Sequence, residues 1–246
     1  MQPTESKEKM PLHLVEHFAS VQGEGMSAGK LSVFWRFSGC TTNCAWCDSS
    51  RLWKQLGTIT FAEAYAQMEV AGYFRKLQAG AHLVLTGGDP MLRQDEIAEF
   101  LLYAESRGEY VPGWYIEVET QGLTPPRPLL MGRVNQWNVS PKLANSGVPV
   151  ERRYSSAVLN LLRIDAVNKY PVSFKFVVES LRDVEEVEAI AAQHAIPERF
   201  IWLMPLCSDR QSYIEKSRQV ADWAIRYNYN FSPRLQLGIW DRTTGV

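Results

Sequence analysis

Six apolar runs rich in β-branched and aromatic residues, Leu31–Phe37, His82–Thr86, Trp114–Glu119, Val134–Val139, Val172–Val178 and Phe200–Met204, punctuate this chain, each bounded by Gly, Pro, Ser or Asn. They read as buried strands. Segments of helical period lie between them. Thr60 with Glu63 has the form of a capping box, and Ile97, Phe100, Leu101 and Ala104 share one helix face before Gly108. Val184, Val187 and Ala191 form an apolar stripe after Ser180, whose side chain suits a helix start. Strands alternating with helices predict an α/β fold with a parallel sheet and right-handed crossovers. A full eight-unit barrel would just fit into 246 residues, but only six units are visible. The expectation is therefore a partial (β/α)6-type barrel, or an open sheet of six strands, in a single domain.

That domain should span residues 11–246, with residues 1–10 a polar, flexible tail and Met10 an alternative start. The N-terminus lacks the apolar centre of a secretory signal, and no run of about 18 apolar residues exists to span a bilayer. With 26 Lys and Arg against 27 Asp and Glu there is no basic surplus to draw the chain onto nucleic acid. The expectation is a cytoplasmic protein with neither a membrane nor a nucleic-acid partner.

In a barrel or an open parallel sheet, chemistry gathers where the loops leave the carboxyl ends of the strands. Four polar motifs fall there: Phe37-Ser38-Gly39-Cys40, Thr86-Gly87-Gly88-Asp89-Pro90, Glu119-Thr120-Gln121-Gly122 and Ser140-Pro141-Lys142. Three of the four cysteines, Cys40, Cys44 and Cys47, crowd into the first of these loops, a grouping that in a reducing compartment points to a metal or redox centre. A structural zinc would want four ligands, and Cys207 after the sixth strand is a candidate fourth. An iron–sulfur cluster can instead rest on three thiolates and leave one iron open to a ligand. Chance grouping is the third reading. Gly87-Gly88 reads as a site of close backbone approach or as an ordinary tight turn.

The spacing Cys40-x3-Cys44-x-Trp46-Cys47 resembles the radical S-adenosylmethionine superfamily. The resemblance implies a 4Fe–4S cluster on the three cysteines, with S-adenosylmethionine on the open iron and one-electron cleavage to a radical. Within the superfamily the chain resembles the 7-carboxy-7-deazaguanine synthase family over most of its length. Val21-Gln22-Gly23-Glu24-Gly25, Arg36, Cys47-Asp48-Ser49, the Thr86-to-Pro90 run and Ser140-Pro141-Lys142 occur in that family's order. What this implies is a homodimeric radical lyase of 7-deazapurine (queuosine-type) biosynthesis. It would contract the ring of 6-carboxy-5,6,7,8-tetrahydropterin to 7-carboxy-7-deazaguanine with loss of ammonia, using Mg2+ and a flavodoxin or ferredoxin-type electron donor.

The same resemblance assigns roles. Trp46, Cys47, Asp48, Gly88, Ser140, Pro141 and Lys142 would contact S-adenosylmethionine, and Ser49 would bind Mg2+ where the family commonly has Thr. Ser49 reads equally well as a helix cap. Val21, Gln22, Gly23, Arg36 and Thr86 would hold the substrate. Arg36 suits its carboxylate, because a guanidinium is always charged and forms two parallel hydrogen bonds, although a strand-end Arg can also simply snorkel to solvent. Glu119 either orients substrate or satisfies a buried neighbour, and Val246 is a candidate contact from the chain end. The chain departs from the family at Asp89, where Glu is usual, at Met204, often Gln, and at Gln236, where a substrate-binding His is expected. Two rivals remain: a radical activase that makes a glycyl radical on a partner protein, and a zinc-stabilised interaction protein using Cys207.

Overall fold

Eight strands form one sheet, and their order in space is their order in sequence. They are β1 (Leu14–Val21), β2 (Leu31–Phe37), β3 (His82–Gly87), β4 (Tyr115–Thr120), β5 (Gln136–Val139), β6 (Val172–Val178), β7 (Ile201–Pro205) and β8 (Asn230–Phe231). The computed structural model describes residues 3–55, 57–168, 171–243 and 245. From β2 to β8 every neighbouring pair is parallel, and only β1 runs antiparallel, against β2. A doubly wound sheet reverses its strand order at a switch point. This one never does, so it has the progression of a barrel and its working rim is the carboxyl end of the parallel strands.

The six inner strands are those read from the sequence. The two edges were not legible: Leu14–Val21 mixes Glu, His and Ser into its apolar residues, and a two-residue β8 has no period. The expected N-terminal tail includes a short helix, Pro3–Glu8, whose Lys7 ammonium lies 2.7 Å from Glu99. Among the described residues no helix is long and apolar enough to cross a membrane.

Among the helices are α1 (Phe61–Val70), α2 (Gln94–Ser106), α3 (Ser156–Asn168), α4 (Leu181–His194), α5 (Arg210–Arg226) and α6 (Leu235–Trp240). Thr60 accepts from the Glu63 N–H, and Glu63 accepts from the Thr60 N–H, so the expected box opens α1. At α4 Ser180 stands at the N-cap, as expected, in a capping box with Asp183. Asp183 accepts from both the N–H and the hydroxyl of Ser180. Because side chains alternate along a strand, each strand sends one set outward and the other inward. The outward set is apolar: Trp35 meets Phe100 at 5.3 Å between ring centroids, and Phe100 meets Phe61 at 5.2 Å. Each such buried ring contributes about 1.5–3 kcal/mol.

The inward set is polar, with Glu117, Glu119, Gln136, Asn138, Ser173 and Lys175 all buried or half-buried. The turn between β1 and β2 folds across this inner face, where the Ser27 hydroxyl donates to Gln136 at 3.3 Å. The segment after β8 meets the same turn. Gly25 N–H donates to Ser232 Oγ at 2.9 Å, and Leu235 N–H to the Gly23 carbonyl at 3.0 Å. The two edges of the sheet are thus joined through loops rather than by a ladder, which gives an incomplete barrel with a sealed floor.

Candidate active site

The cysteine loop leaves β2 and is pinned from three sides. Asp89 N–H donates to the Gly39 carbonyl (2.9 Å), Gly39 N–H to the Trp53 carbonyl (2.9 Å), and Ala45 N–H to the Ser146 carbonyl (2.9 Å). Gln121 binds two adjacent loop hydroxyls, accepting from Thr42 at 2.6 Å and donating to Thr41 at 2.8 Å. Gly88 is required by this arrangement. A Cβ there would lie 2.0 Å from the Gly39 carbonyl oxygen and 2.7 Å from Cys40 Cβ. The close approach that the glycine pair permits is therefore to the protein's own backbone under the cluster loop, since a Cβ on Gly87 would likewise meet the Phe37 carbonyl. Gly88→Ala should cost about 1–3 kcal/mol of overpacking and displace Cys40. Urea midpoints and iron-to-protein ratios after reconstitution check this, and an unchanged ratio would contradict it.

One cavity of about 810 Å³ gathers nearly all the residues singled out from the sequence. Cys40, Cys44, Trp46, Cys47, Asp48 and Ser49 line it from the cysteine loop. Val21, Gln22, Gly23, Arg36, Thr86, Gly88, Glu119, Ser140, Lys142 and Gln236 line it from the strands and their loops. Pro141 is buried beside it without joining the lining, and Val246 lies outside the described residues. Ser49 occupies the N-cap position of the helix Ser50–Trp53, yet its side chain makes no capping hydrogen bond. Arg36 is not snorkelling. Its Nε donates to Glu16 at 2.7 Å, and the side chain is largely buried. Asp89 is fully buried, and its carboxylate is used internally, accepting from Met91 N–H and the Thr120 hydroxyl, both at 3.0 Å.

Charges meet on the cavity floor. Lys175 donates to Glu24 at 2.6 Å and to Glu119 at 3.1 Å, and its side chain is only 4% exposed. Arg234 reaches Glu24 at 3.3 Å and also pairs with Asp48 at 2.5 Å on the cysteine loop. Gln22 and Asn138 add hydrogen bonds to Glu119, and Gln236 Nε2 donates to Glu24 at 2.8 Å. Burial alone would raise the Glu24 pKa, but Lys175 and Arg234 overcome it and hold the carboxyl at about 2. Glu119 goes the other way, pushed up by burial and by the nearby Glu24 and Glu117 despite Lys175. The two carboxylates are thus tuned apart, and Glu119 both satisfies buried neighbours and faces the cavity.

Lys175 and Arg234 were not singled out from the sequence, and Glu24 entered only within the Val21-to-Gly25 motif, without a role. Lys175 had a signal, being the one charge in the apolar run Val172–Val178. Arg234 had none, since its segment has no period.

The three thiols line the cavity without converging on one ion. Among the described residues no three His, Cys, Asp or Glu side chains are grouped to share a single metal ion. Cys207 does not join them: its buried Sγ donates to the Pro205 carbonyl at 3.3 Å and faces Arg234. The four-cysteine zinc site considered from the sequence is therefore not assembled. A polynuclear cluster gives each thiolate its own iron, so thiols spread along one loop beside a large cavity fit that group. Lys142 offers a cation next to them, bonded to Ser140 at 3.1 Å and standing 5.6 Å from the Trp46 ring centroid. A ligand with a carboxylate fits there.

Comparison with known proteins follows the same lines. Residues 21–118 match a family described as a 4Fe-4S single cluster domain. The chain is 33% identical over 237 residues to the 7-carboxy-7-deazaguanine synthase of Pyrobaculum aerophilum, covering 95% of this chain and 97% of that one. It is 33% identical to the synthase of Hyperthermus butylicus, over 92% of each chain. Among solved structures, QueE from Escherichia coli superposes with a TM-score of 0.67 at 23% identity, covering 94% of this chain and 97% of that one. Native anSMEcpe with bound AdoMet has a TM-score of 0.51 at 14% identity over 79% of this chain and 61% of that one, a likeness of fold alone. Identity at this level across nearly the whole length leaves one assignment: the chain belongs to the 7-carboxy-7-deazaguanine synthase family.

Proposed function

We infer that the chain is a radical S-adenosylmethionine lyase that converts 6-carboxy-5,6,7,8-tetrahydropterin to 7-carboxy-7-deazaguanine and ammonia, in the synthesis of 7-deazapurines. The observation that carries this reading is the one continuous cavity joining three thiols at its rim to a buried polar floor. When bound, a 4Fe–4S cluster and S-adenosylmethionine supply one-electron chemistry that takes a hydrogen atom from the substrate. Cys40, Cys44 and Cys47 hold the cluster. Trp46, Asp48, Gly88 and the Ser140-to-Lys142 run hold S-adenosylmethionine, with the Lys142 ammonium toward its carboxylate. Ser49, whose hydroxyl is free of capping, supplies an oxygen to Mg2+.

The floor addresses a small heterocycle with alternating donors and acceptors. Gln22, Gly23, Val21 and Thr86 present amide, backbone and hydroxyl groups to it. Two lining atoms, Ser20 Oγ and Gln236 Oε1, are buried without a partner among the described residues, and an orphaned polar atom in a cavity favours a ligand that satisfies it. Gln236 accepts and donates hydrogen bonds as a His would, but it does not titrate near neutrality. A glycyl-radical activase would take a protein segment; the buried polar groups at the base of the cavity suit a small ring with its own donors and acceptors instead. We further propose a homodimer, a cytoplasmic setting and a flavodoxin or ferredoxin-type donor for the electron.

The test is anaerobic. Reduced protein with S-adenosylmethionine, Mg2+ and the carboxytetrahydropterin should yield 7-carboxy-7-deazaguanine, identified by mass. Cleavage of S-adenosylmethionine with no loss of pterin would return the activase reading. Arg36→Ala should keep the cluster but weaken substrate binding by about 2–5 kcal/mol, because a desolvated carboxylate loses its partner. Glu16, partly exposed, then turns to solvent. An unchanged KM in this variant would remove Arg36 from the substrate site.

A further inference from the structure

We propose that Trp53 is a positioning residue whose indole N–H holds the Cys47 sulfur and raises the reduction potential of the cluster. This rests on the reading that Cys40, Cys44 and Cys47 carry a 4Fe–4S centre. Trp53 Nε1 donates to Cys47 Sγ at 3.4 Å, and the side chain is buried, with 7% exposed. The residue is also tied to the loop through its backbone, because its carbonyl accepts from Gly39 N–H at 2.9 Å. Ring and backbone together fix the nitrogen against the sulfur. Lys54 lies over the indole, 5.4 Å from the ring centroid, and adds positive charge on that side.

The other two sulfurs are served differently. Thr42 Oγ1 lies 3.4 Å from Cys40 Sγ and 3.7 Å from Cys44 Sγ, but its one proton goes to Gln121 Oε1 at 2.6 Å. In the same amide orientation Gln121 donates to the Thr41 hydroxyl at 2.8 Å. A hydroxyl can change its role; an indole N–H is a donor only. Cys47 has the Ser49 hydroxyl at 3.7 Å and, in addition, a dedicated N–H donor, whereas Cys40 and Cys44 share a hydroxyl already engaged.

Hydrogen bonds to sulfur are among the terms that set the potential of an iron–sulfur centre. Adding an electron increases the negative charge on the thiolates. A donor aimed at one of them stabilises the reduced state more than the oxidised one, so its removal makes the cluster harder to reduce. Trp53→Phe keeps most of the ring and loses the N–H. The reduction equilibrium should shift about tenfold toward the oxidised state, equivalent to about 59 mV for one electron.

The experiment is a potentiometric titration of reconstituted wild type and Trp53→Phe, monitored by electron paramagnetic resonance. It is paired with pulsed measurements of exchangeable-proton coupling to the reduced cluster. Trp53 replaced by benzothienylalanine, which has the shape of Trp without the N–H, separates shape from hydrogen bonding. A lower potential and a lost proton coupling in the isostere support the proposal, whether or not the Phe variant loads. A loaded isostere at the wild-type potential overturns it, and an isostere that fails to load makes Trp53 structural instead. Wild type that binds no cluster would refute the reading of the cysteines, a result distinct from any of these.

Discussion

Cys44→Ala should be colourless after iron and sulfide reconstitution and form no detectable product, while keeping the wild-type fold by circular dichroism. The argument is one of ligand count. Three thiolates are the least that can hold a cubane while leaving an iron free, and no other cysteine stands by to replace one. Cys207, the only further cysteine, is buried against the Pro205 carbonyl and Arg234. Cys207→Ala should therefore retain full brown colour. Burial pushes the Cys44 thiol pKa up despite the nearby Lys142, so the metal-free loop keeps this proton and metal binding must displace it. A Cys44→Ala protein that still absorbs in the visible and bleaches with dithionite would defeat the three-thiolate assignment.

Lys175→Met should lower stability by about 3–5 kcal/mol, because it leaves Glu24 and Glu119 facing each other in a buried site without their shared cation. For a chain of this size that is roughly 6–20 °C in Tm. The pH dependence gives the sharper check. In wild type Glu24 sits at about 2, below its ordinary 4.5. Its contribution is therefore complete above about pH 4.5 and is lost as the pH falls toward 2. Lys175 has its pKa raised by the same pairs and stays charged throughout that range. Without Lys175, Glu24 keeps Arg234 but Glu119 keeps no cation against its burial and the nearby carboxylates, so its proton is held more firmly and mild acid relieves the variant. The gap between variant and wild type should narrow from pH 7.5 to pH 5 in urea titrations. A gap that is absent, or that widens toward acid, would show that the pair contributes little to the fold.

Much of this architecture was readable in the residues. The six inner strands, the box at Thr60 and the stripe at Ile97 to Ala104 follow from periodicity, because buried parallel strands and amphipathic helices leave strong local signals. The cavity lining was readable too, through motifs at strand ends, which a barrel-like sheet must bring to one rim. What escaped was the charge pairing on the floor, where Lys175 and Arg234 meet Glu24. Tyr115–Thr120 and Val172–Val178 alternate polar with apolar residues, a pattern that ordinarily marks a strand with one wet face. Here the polar face looks into the cavity, so the same pattern encodes a binding surface. Glu24 and Arg234 depend on pairings made across the whole chain, and no local window of sequence reports those. The glycine pair was legible as a place of close approach, yet its neighbour in the fold is the Phe37-to-Cys40 backbone.

The joined edges of the sheet bear on how the molecule is made. Glu24 and Arg234 are 210 positions apart, so on the ribosome the cysteine loop emerges long before the guanidinium that ties it to the rest. A nascent chain can stack its βα units as they appear, each against the one before, as low-separation contacts favour. It cannot close the base of its pocket until the last segment is released. The cysteine loop is therefore tied to its base only in the finished polypeptide, and a chain cut short before Arg234 would present its thiols over an open, charged hollow.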